Sequence, residues 1–315
     1  DNNMANITTI SIGSQLKSFA TVSTICFGLS QSLAYIASSK TNGYILNKLA
    51  FISVSIQWVV YIFQASGLVF GNKRTEKFYD LTGALTFQSL SLLSVFLGDG
   101  LKKFGLRQKL LTSTVLIWSF RLGSFLFDRI KSEGGVDSRF NKVRPYLFEF
   151  WNYWTIQGLW VFLTSLPVLV LNDSTKTQPH LNIFDFVGLG IWLIGLSTEV
   201  LADNQKQIFK KNPSNKGKFI NEGLWKLSRH PNYFGEIILW FGVFISASQG
   251  FERPGQWLSI ISPIFVSFLL INISGIPLLE KSANKHWGSD DAYKKYKREV
   301  PVLIPFIGRR GDALF

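Results

Sequence analysis

The densest concentration of side chains that could do chemistry is Ser228-Arg229-His230-Pro231-Asn232-Tyr233-Phe234-Gly235-Glu236, preceded by Gly223-Leu224-Trp225. Proline is favoured at the first position of a helix, so His230-Pro231 predicts a helix start. Free backbone amides at such a start, with the Arg229 guanidinium beside them, suit a phosphate. Asn232 and Glu236 then share one helix face, a turn apart. A basic membrane boundary with a snorkelling arginine would account for Arg229, but not for Asn232, Tyr233 and Glu236 entering an apolar helix.

Two further clusters set ionisable groups in or beside apolar runs, where each costs at least ~2.5 kcal/mol near a bilayer centre and so needs a partner or a purpose. Glu199, Asp203 and Lys206, spaced by four and three, line one helix face. That pattern fits a ligand site or a self-neutralised helix end equally well. Arg121 and Asp128, two helical turns apart, are followed by Arg129, Asp137, Arg139 and Phe140. Here a structural ion pair and a ligand contact are both open.

These residues must be positioned by helices in lipid. The 315-residue chain is 47% hydrophobic and only 17% charged, with 28 Phe, a balance that favours lipid over water as solvent. Uncharged stretches long enough to cross about 30 Å of hydrocarbon run from Ser18 to Ser39, Leu49 to Asn72, Leu81 to Gly98, Phe150 to Asn172 and Pro254 to Leu279. Three more runs are interrupted by one or two charges or are shorter: Leu110 to Phe127, Ile183 to Leu201 and Tyr233 to Ser248. The fold class is therefore all-α, a polytopic transmembrane bundle of eight spans, or seven if one of these fails. Gly188, Gly190 and Gly195 lie inside an apolar run with the wrong spacing for a dinucleotide fingerprint, and predict close helix packing instead.

Thirty-three Lys and Arg against 20 Asp and Glu give a net charge of +13. They sit in short loops between apolar runs, which argues against a nucleic-acid partner. With eight spans, the loops and tails on the side of the two termini carry about three times the Lys and Arg of the opposite loops, placing that side in the cytoplasm or its matrix equivalent. The sole cysteine, Cys26, and three distant histidines, His180, His230 and His286, argue against a disulfide framework and a metal site. Asn172-Asp173-Ser174 forms a glycosylation sequon in a loop on the less basic side. The first residue, Asp1, is not Met, which is compatible with a removed leader or a shortened chain.

The Gly223 to Glu236 run resembles the membrane reductases of the steroid 5-alpha-reductase C-terminal type, in the branch called domain of unknown function 1295. Phe78-Tyr79-Asp80-Leu81-Thr82-Gly83, the Arg121 to Phe140 segment, Glu199 to Phe209, Ser274 to Lys281, and Tyr293, Tyr296 with Ile304-Pro305-Phe306 extend the resemblance over roughly residues 45 to 307. What it implies is a helical membrane fold whose C-terminal half, 150–315, holds NADPH, while the N-terminal half, 1–149, is the lipid-substrate side. Carried over by motif, Asp203, Lys206, Trp225, Arg229, His230, Asn232, Tyr233, Glu280, Tyr293 and Tyr296 would contact the cofactor. Tyr233, Glu236, Tyr79 and Asp80 are the candidate catalytic residues. Where related sterol reductases carry Lys-Tyr-Gly, this chain has His286-Trp287-Gly288.

The implied reaction is reduction of a carbon–carbon double bond in a lipid or sterol-like substrate, with hydride from NADPH and a proton from a tyrosine or carboxylic acid. Two alternatives accompany it. Isoprenylcysteine methyltransferases share an Arg-His-Pro core, and a reductase-derived scaffold could serve as a subunit of a larger membrane complex, since fold does not dictate function. Both the endoplasmic reticulum and the mitochondrial inner membrane fit the expected topology.

Overall fold

The computed structural model describes residues 10–39, 43–65, 74–97, 104–132, 134, 136–308 and 310–311. The expected span ends at Asn72 and Gly98, and Asp1, lie outside the described residues. Ten α-helices hold most of the described chain: α1 (Ile12–Ala37), α2 (Tyr44–Ala65), α3 (Tyr79–Leu97), α4 (Leu106–Ser132), α5 (Leu147–Asn172), α6 (Ile183–Lys211), α7 (Pro231–Ser248), α8 (Ile261–Phe268), α9 (Ile276–Trp287) and α10 (Asp291–Glu299). Among the described residues there is no β-strand.

Helices α1 to α6 and the helical stretch Pro254–Trp287 are long and apolar enough to cross a membrane. The chain is an integral membrane protein. Helix α7, expected as an eighth span, falls outside these seven; its 18 residues run antiparallel to α6, about 27 Å at 1.5 Å per residue. At one end of the pair Asn182 Nδ2 donates to Gln249 Oε1 at 3.2 Å, and at the other Asn232 Nδ2 donates to Asp203 Oδ1 at 3.2 Å. Several helices outrun their apolar cores. Helix α6 continues through Asp203 to Lys211, and α4 begins four residues before Leu110. Lys, Arg, Gln and Glu are good helix formers, so charge ends the hydrophobic run without ending the helix.

The chain forms two compact units, and they do not divide at 149/150. The first comprises Asp1–Pro179 with Gly250–Ser259, the second His180–Gln249 with Ile260–Phe315. Helix α5, which the sequence suggests belongs to the C-terminal half, is the centre of the first unit, packed against α1, α2, α3 and α4. Every residue from Val161 to Asn172 is buried. A helix that is apolar all round belongs inside a bundle, whatever its neighbours in sequence. Ser53 Oγ donates to the Gly158 carbonyl at 2.7 Å, where α2 and α5 approach closely. At one end of this unit Tyr61, Phe140, Phe150 and Trp154 form an aromatic core with Tyr79 against it. The sequon is interior: Asn172 is 4% exposed, and its Nδ2 donates to Ser94 Oγ at 2.8 Å and Thr112 Oγ1 at 3.0 Å. A folded chain offers no room there for a glycan.

The second unit is organised by α6 and α7. A Cβ placed on Gly188 would lie 2.6 Å from the Gly242 carbonyl oxygen, and one on Gly195 would lie 2.6 Å from that of Gly235. The two glycine pairs, two turns apart on each helix, let the backbones touch, which is how helices gain van der Waals contact in lipid. Gly190 has nothing within 4 Å and takes no part. The outer face of α6 presents Phe184, Phe186, Leu193 and Ile194. At the far end of this unit Trp287 Nε1 donates to the Gly217 carbonyl at 2.6 Å, joining the end of α9 to the loop after α6. Cysteines introduced at exposed Ser214 and Ser289 are therefore expected to react with an impermeant maleimide from the same side of sealed vesicles. Labelling from opposite sides would overturn both the pairing and the eight-span topology.

Candidate functional site

The residues that the sequence singles out in the C-terminal half meet in the second unit, around the start of α7. Pro231 is its first helical residue and His230 its cap, as the His-Pro pair predicts. The short 3-10 turn Gly223–Lys226 precedes it, and position 223 needs glycine twice over, for its φ of +58 and because a Cβ there would lie 2.5 Å from the Gln205 side chain. Gln205 Oε1 accepts from the Leu224 backbone N–H at 2.9 Å and fixes that turn to α6. Trp225 is buried, donating from Nε1 to the Ala202 carbonyl at 2.9 Å. Lys206 Nζ lies 4.4 Å from the centroid of the Trp225 ring. Asp203 is bound to Asn232 as described above.

Arg229 and His230 converge on one carboxylate. Glu280, in the second turn of α9, accepts from Arg229 Nη1 at Oε2 and contacts His230 Nε2 at Oε1, both at 2.9 Å. All three residues are 4% exposed. Arg229 Nη2 donates to the Gly311 carbonyl at 2.9 Å. Thus both Nη groups of the arginine expected to meet a phosphate are held by protein acceptors. Burial pulls the His230 imidazole below its ordinary pKa, against the hydrogen bond and charge of Glu280 that pull it up. Tyr233 stacks on the His230 ring with centroids 5.7 Å apart and planes at 10°. Glu236 follows on α7, half-buried, one turn beyond Asn232.

Helix α10 supplies the tyrosines. Tyr296 donates to the Trp225 carbonyl at 2.6 Å, and Tyr293 lies against Phe219 and Tyr296. Burial pushes the Tyr293 hydroxyl up to about 12 and raises Tyr296 as well. Downstream of α10 the chain doubles back along Leu227 to Arg229: the Pro301 carbonyl accepts from the Arg229 N–H at 2.9 Å, and Ser228 Oγ donates to the Leu303 carbonyl at 2.7 Å. Gln205 and Ser228 fall inside the motifs read from the sequence without a role assigned to them, and the returning segment Pro301 to Leu303 carries no sequence signal as a support of the site. The glycine at 223 was the one available signal, since a positive φ there demands a fitted neighbour.

The other two candidates, Tyr79 and Asp80, stand in the first unit. Tyr79 donates to the Tyr153 carbonyl at 3.0 Å. Asp80 pairs with Arg129 at 3.3 Å and with Arg139 at 3.0 Å, and Asp137 pairs with Arg139 at 2.6 Å. Burial works against the Asp137 carboxylate, but the hydrogen bonds and charge of Arg139, with Arg129, bring its pKa below the ordinary value. Glu76 binds Arg144 through both carboxylate oxygens and accepts from the Asp137 N–H at 2.7 Å. The Arg121 guanidinium lies 5.1 Å from the Phe125 ring centroid. The Arg121 to Phe140 segment thus contributes an ion-pair network that ties α3 and α4 to the loop before α5.

Comparison with known proteins gives the constellation a context. The model of the family described as "Protein of unknown function (DUF1295)" matches residues 68–300. A probable O-methyltransferase of Ustilaginoidea virens is 43% identical over 87 residues, 28% of this chain and 29% of that protein. The Delta(14)-sterol reductase of Arabidopsis thaliana is 28% identical over 194 residues, 58% of this chain and 44% of that protein. The 3-oxo-5-alpha-steroid 4-dehydrogenase 1 of Rattus norvegicus is 24% identical over 120 residues, 38% of this chain and 40% of that protein. The chain thus covers less than half the length of each of these three relatives. No solved structure matches.

Proposed function

Because the chain belongs to the DUF1295 family, we propose that it is a membrane-embedded, NADPH-dependent reductase of a carbon–carbon double bond in a lipid or sterol-like substrate. The observation that carries this is the convergence around α7. Residues from α6, the Gly223–Lys226 turn, α7, α9 and α10 are drawn to one end of one unit by hydrogen bonds and ring contacts. Three buried polar atoms there, Arg229 Nε, His230 Nδ1 and Asn232 Oδ1, have no hydrogen-bond partner among the described residues. Such atoms are costly unless a bound polar group meets them, so the residues present fit a nucleotide.

NADPH, when bound, supplies the hydride. The chain's own part is to bind and orient it, with Lys206 and Arg229 as cations and Asp203, Asn232 and Glu280 holding the frame. A proton for the second carbon comes from a hydroxyl or a carboxylic acid. Within the unit that holds the cofactor residues, Tyr233 and Glu236 are its candidate sources; Asp80, in the first unit, is engaged by Arg129 and Arg139. The sterol and steroid enzymes among the relatives support the substrate class.

Methyl transfer is the second reading, supported by the 43% identity to a probable O-methyltransferase. Calorimetry on the detergent-purified chain separates the two. Wild type is expected to bind NADPH and not S-adenosylmethionine. Lys206→Ala, at a half-buried position beside the Trp225 ring, should weaken NADPH by about 1.5 kcal/mol or more, the range for a hydrogen bond to a charged group. Binding of adenosylmethionine alone would install the methyltransferase reading. A folded chain that binds neither would leave a structural subunit of a membrane complex.

A further inference from the structure

Glu280 decides which atoms of the α7 turn donate and which accept. An ionised carboxylate can only accept hydrogen bonds. The Arg229 guanidinium, at 2.9 Å from Oε2, holds Glu280 in that form. The 2.9 Å contact between His230 Nε2 and Oε1 therefore requires a hydrogen on Nε2. In a neutral imidazole the other nitrogen is then a bare lone pair. His230 Nδ1 is that atom, buried and without a partner among the described residues.

Asn232 repeats the pattern two residues on. Its amide donates to Asp203 from Nδ2, which leaves Oδ1 as an acceptor, again buried and without a partner among the described residues. Arg229, with one hydrogen of each Nη bound, keeps Nε as a buried donor without a partner among the described residues. The His230 and Asn232 side chains thus add two acceptors to the turn, which a phosphate, bringing acceptors almost exclusively at neutral pH, does not satisfy. A ribose hydroxyl or a carboxamide N–H meets them.

We propose that Glu280 is a positioning residue that fixes His230 with its proton on Nε2, and that His230 Nδ1 and Asn232 Oδ1 together bind the hydrogen-bond donors of the neutral part of a nucleotide, ribose hydroxyl or nicotinamide carboxamide. This rests on the cofactor reading above and says which part of the cofactor meets the turn. Glu280 and the Gly311 carbonyl each hold one Nη of Arg229, so the guanidinium that residue spacing sets against a phosphate is also a partner of protein acceptors.

The tautomer is measurable directly on the wild-type chain, since ¹⁵N-labelled histidine gives only three imidazoles to assign, His180, His230 and His286. The expected spectrum shows His230 neutral, protonated at Nε2 and bare at Nδ1, with the Nδ1 resonance moving when NADPH is added. Protonation at Nδ1, alone or in an imidazolium, overturns the proposal. In Glu280→Gln, where the variant folds, the single tautomer should become a mixture.

Calorimetry then names the donor. An NADPH analogue with acetyl in place of the carboxamide, or one lacking a hydroxyl on the nicotinamide ribose, should bind wild type about fivefold more weakly, the worth of one neutral hydrogen bond. The penalty should vanish in His230→Phe. Whichever analogue behaves so identifies the source, and equal binding of NADPH and both analogues to wild type overturns the proposal. If wild type binds no NADPH, the cofactor reading falls by itself. The histidine spectrum still decides the Glu280 half in that case, supporting it with Nε2–H and overturning it otherwise.

Discussion

Gly195→Leu is expected to separate α6 from α7 and to destabilise the chain by about 3 kcal/mol or more. Overpacking a close-packed contact costs about 1–3 kcal/mol when side chains can adjust, and more when they cannot. Here the nearest atoms are backbone: the Gly235 carbonyl oxygen at 2.6 Å and the Leu239 nitrogen at 2.8 Å from the new Cβ. Neither can swing aside, so the helices must part along a seam that Gly188 and Gly242 hold equally tightly. The same displacement would draw Asn232 away from Asp203 and weaken any ligand held there. Gly190→Leu is the control, because that position is exposed with nothing within 4 Å, and a change within about 0.5 kcal/mol is expected. Thermal unfolding of the purified variants in detergent checks both. Equal melting temperatures for Gly195→Leu and Gly190→Leu would refute the glycine seam.

Glu280→Ala should cost about 3–5 kcal/mol, the penalty for leaving one member of a buried ion pair without its counter-charge. Glu280 is the shared partner of Arg229 and His230, so its removal strands a 4% exposed guanidinium beside an imidazole that burial already disfavours as a cation. Replacing the pair together, Arg229→Met with Glu280→Leu, should recover much of the stability, because apolar groups of similar volume often substitute for a buried pair without loss. Nucleotide binding should not recover with it. The four corners of this cycle, measured by thermal unfolding and by calorimetry with NADPH, separate what the pair does for folding from what it does for binding. A single variant as stable as wild type would show that water reaches Arg229 and that the site is not the dry cluster described here.

These expectations bear on how much of the protein could be read from residues alone. Seven spans were legible because a lipid solvent makes an apolar run of the right length nearly sufficient for a helix, while α7, with Glu236 inside it, forms the expected helix beside α6 without reaching the same length and apolarity. Their ends were not legible, since α4 and α6 continue through Lys, Arg and Gln that favour helix as much as the apolar residues do. The start of α7 was legible to the residue, because Pro231 lacks the N–H that an interior position would need. The gathering of polar residues around the start of α7 was visible too. Polar groups entering apolar helices at Asp203, Asn232 and Glu280 have few explanations in lipid.

The assignment of α5 shows the other side. Its sequence says that it is apolar all round, and an all-apolar helix in a membrane protein can face lipid or protein with the same composition. Only the packing against four neighbours reveals it as the centre of the first unit. The glycines make the same point, since three lie within eight residues of α6 and only Gly188 and Gly195 meet a partner helix.

By itself, then, the sequence determined that this is an all-helical membrane chain of the DUF1295 family with polar chemistry concentrated between Glu199 and Tyr296, because hydropathy and local start signals act over a few residues. The tertiary structure alone decided which charge meets which. Glu280 lies 51 positions from Arg229 and 50 from His230, a separation that no helical period spans. Whether an arginine faces a phosphate or a glutamate, and which histidine nitrogen is left bare, depends on helices brought together by close packing rather than on any spacing along the chain.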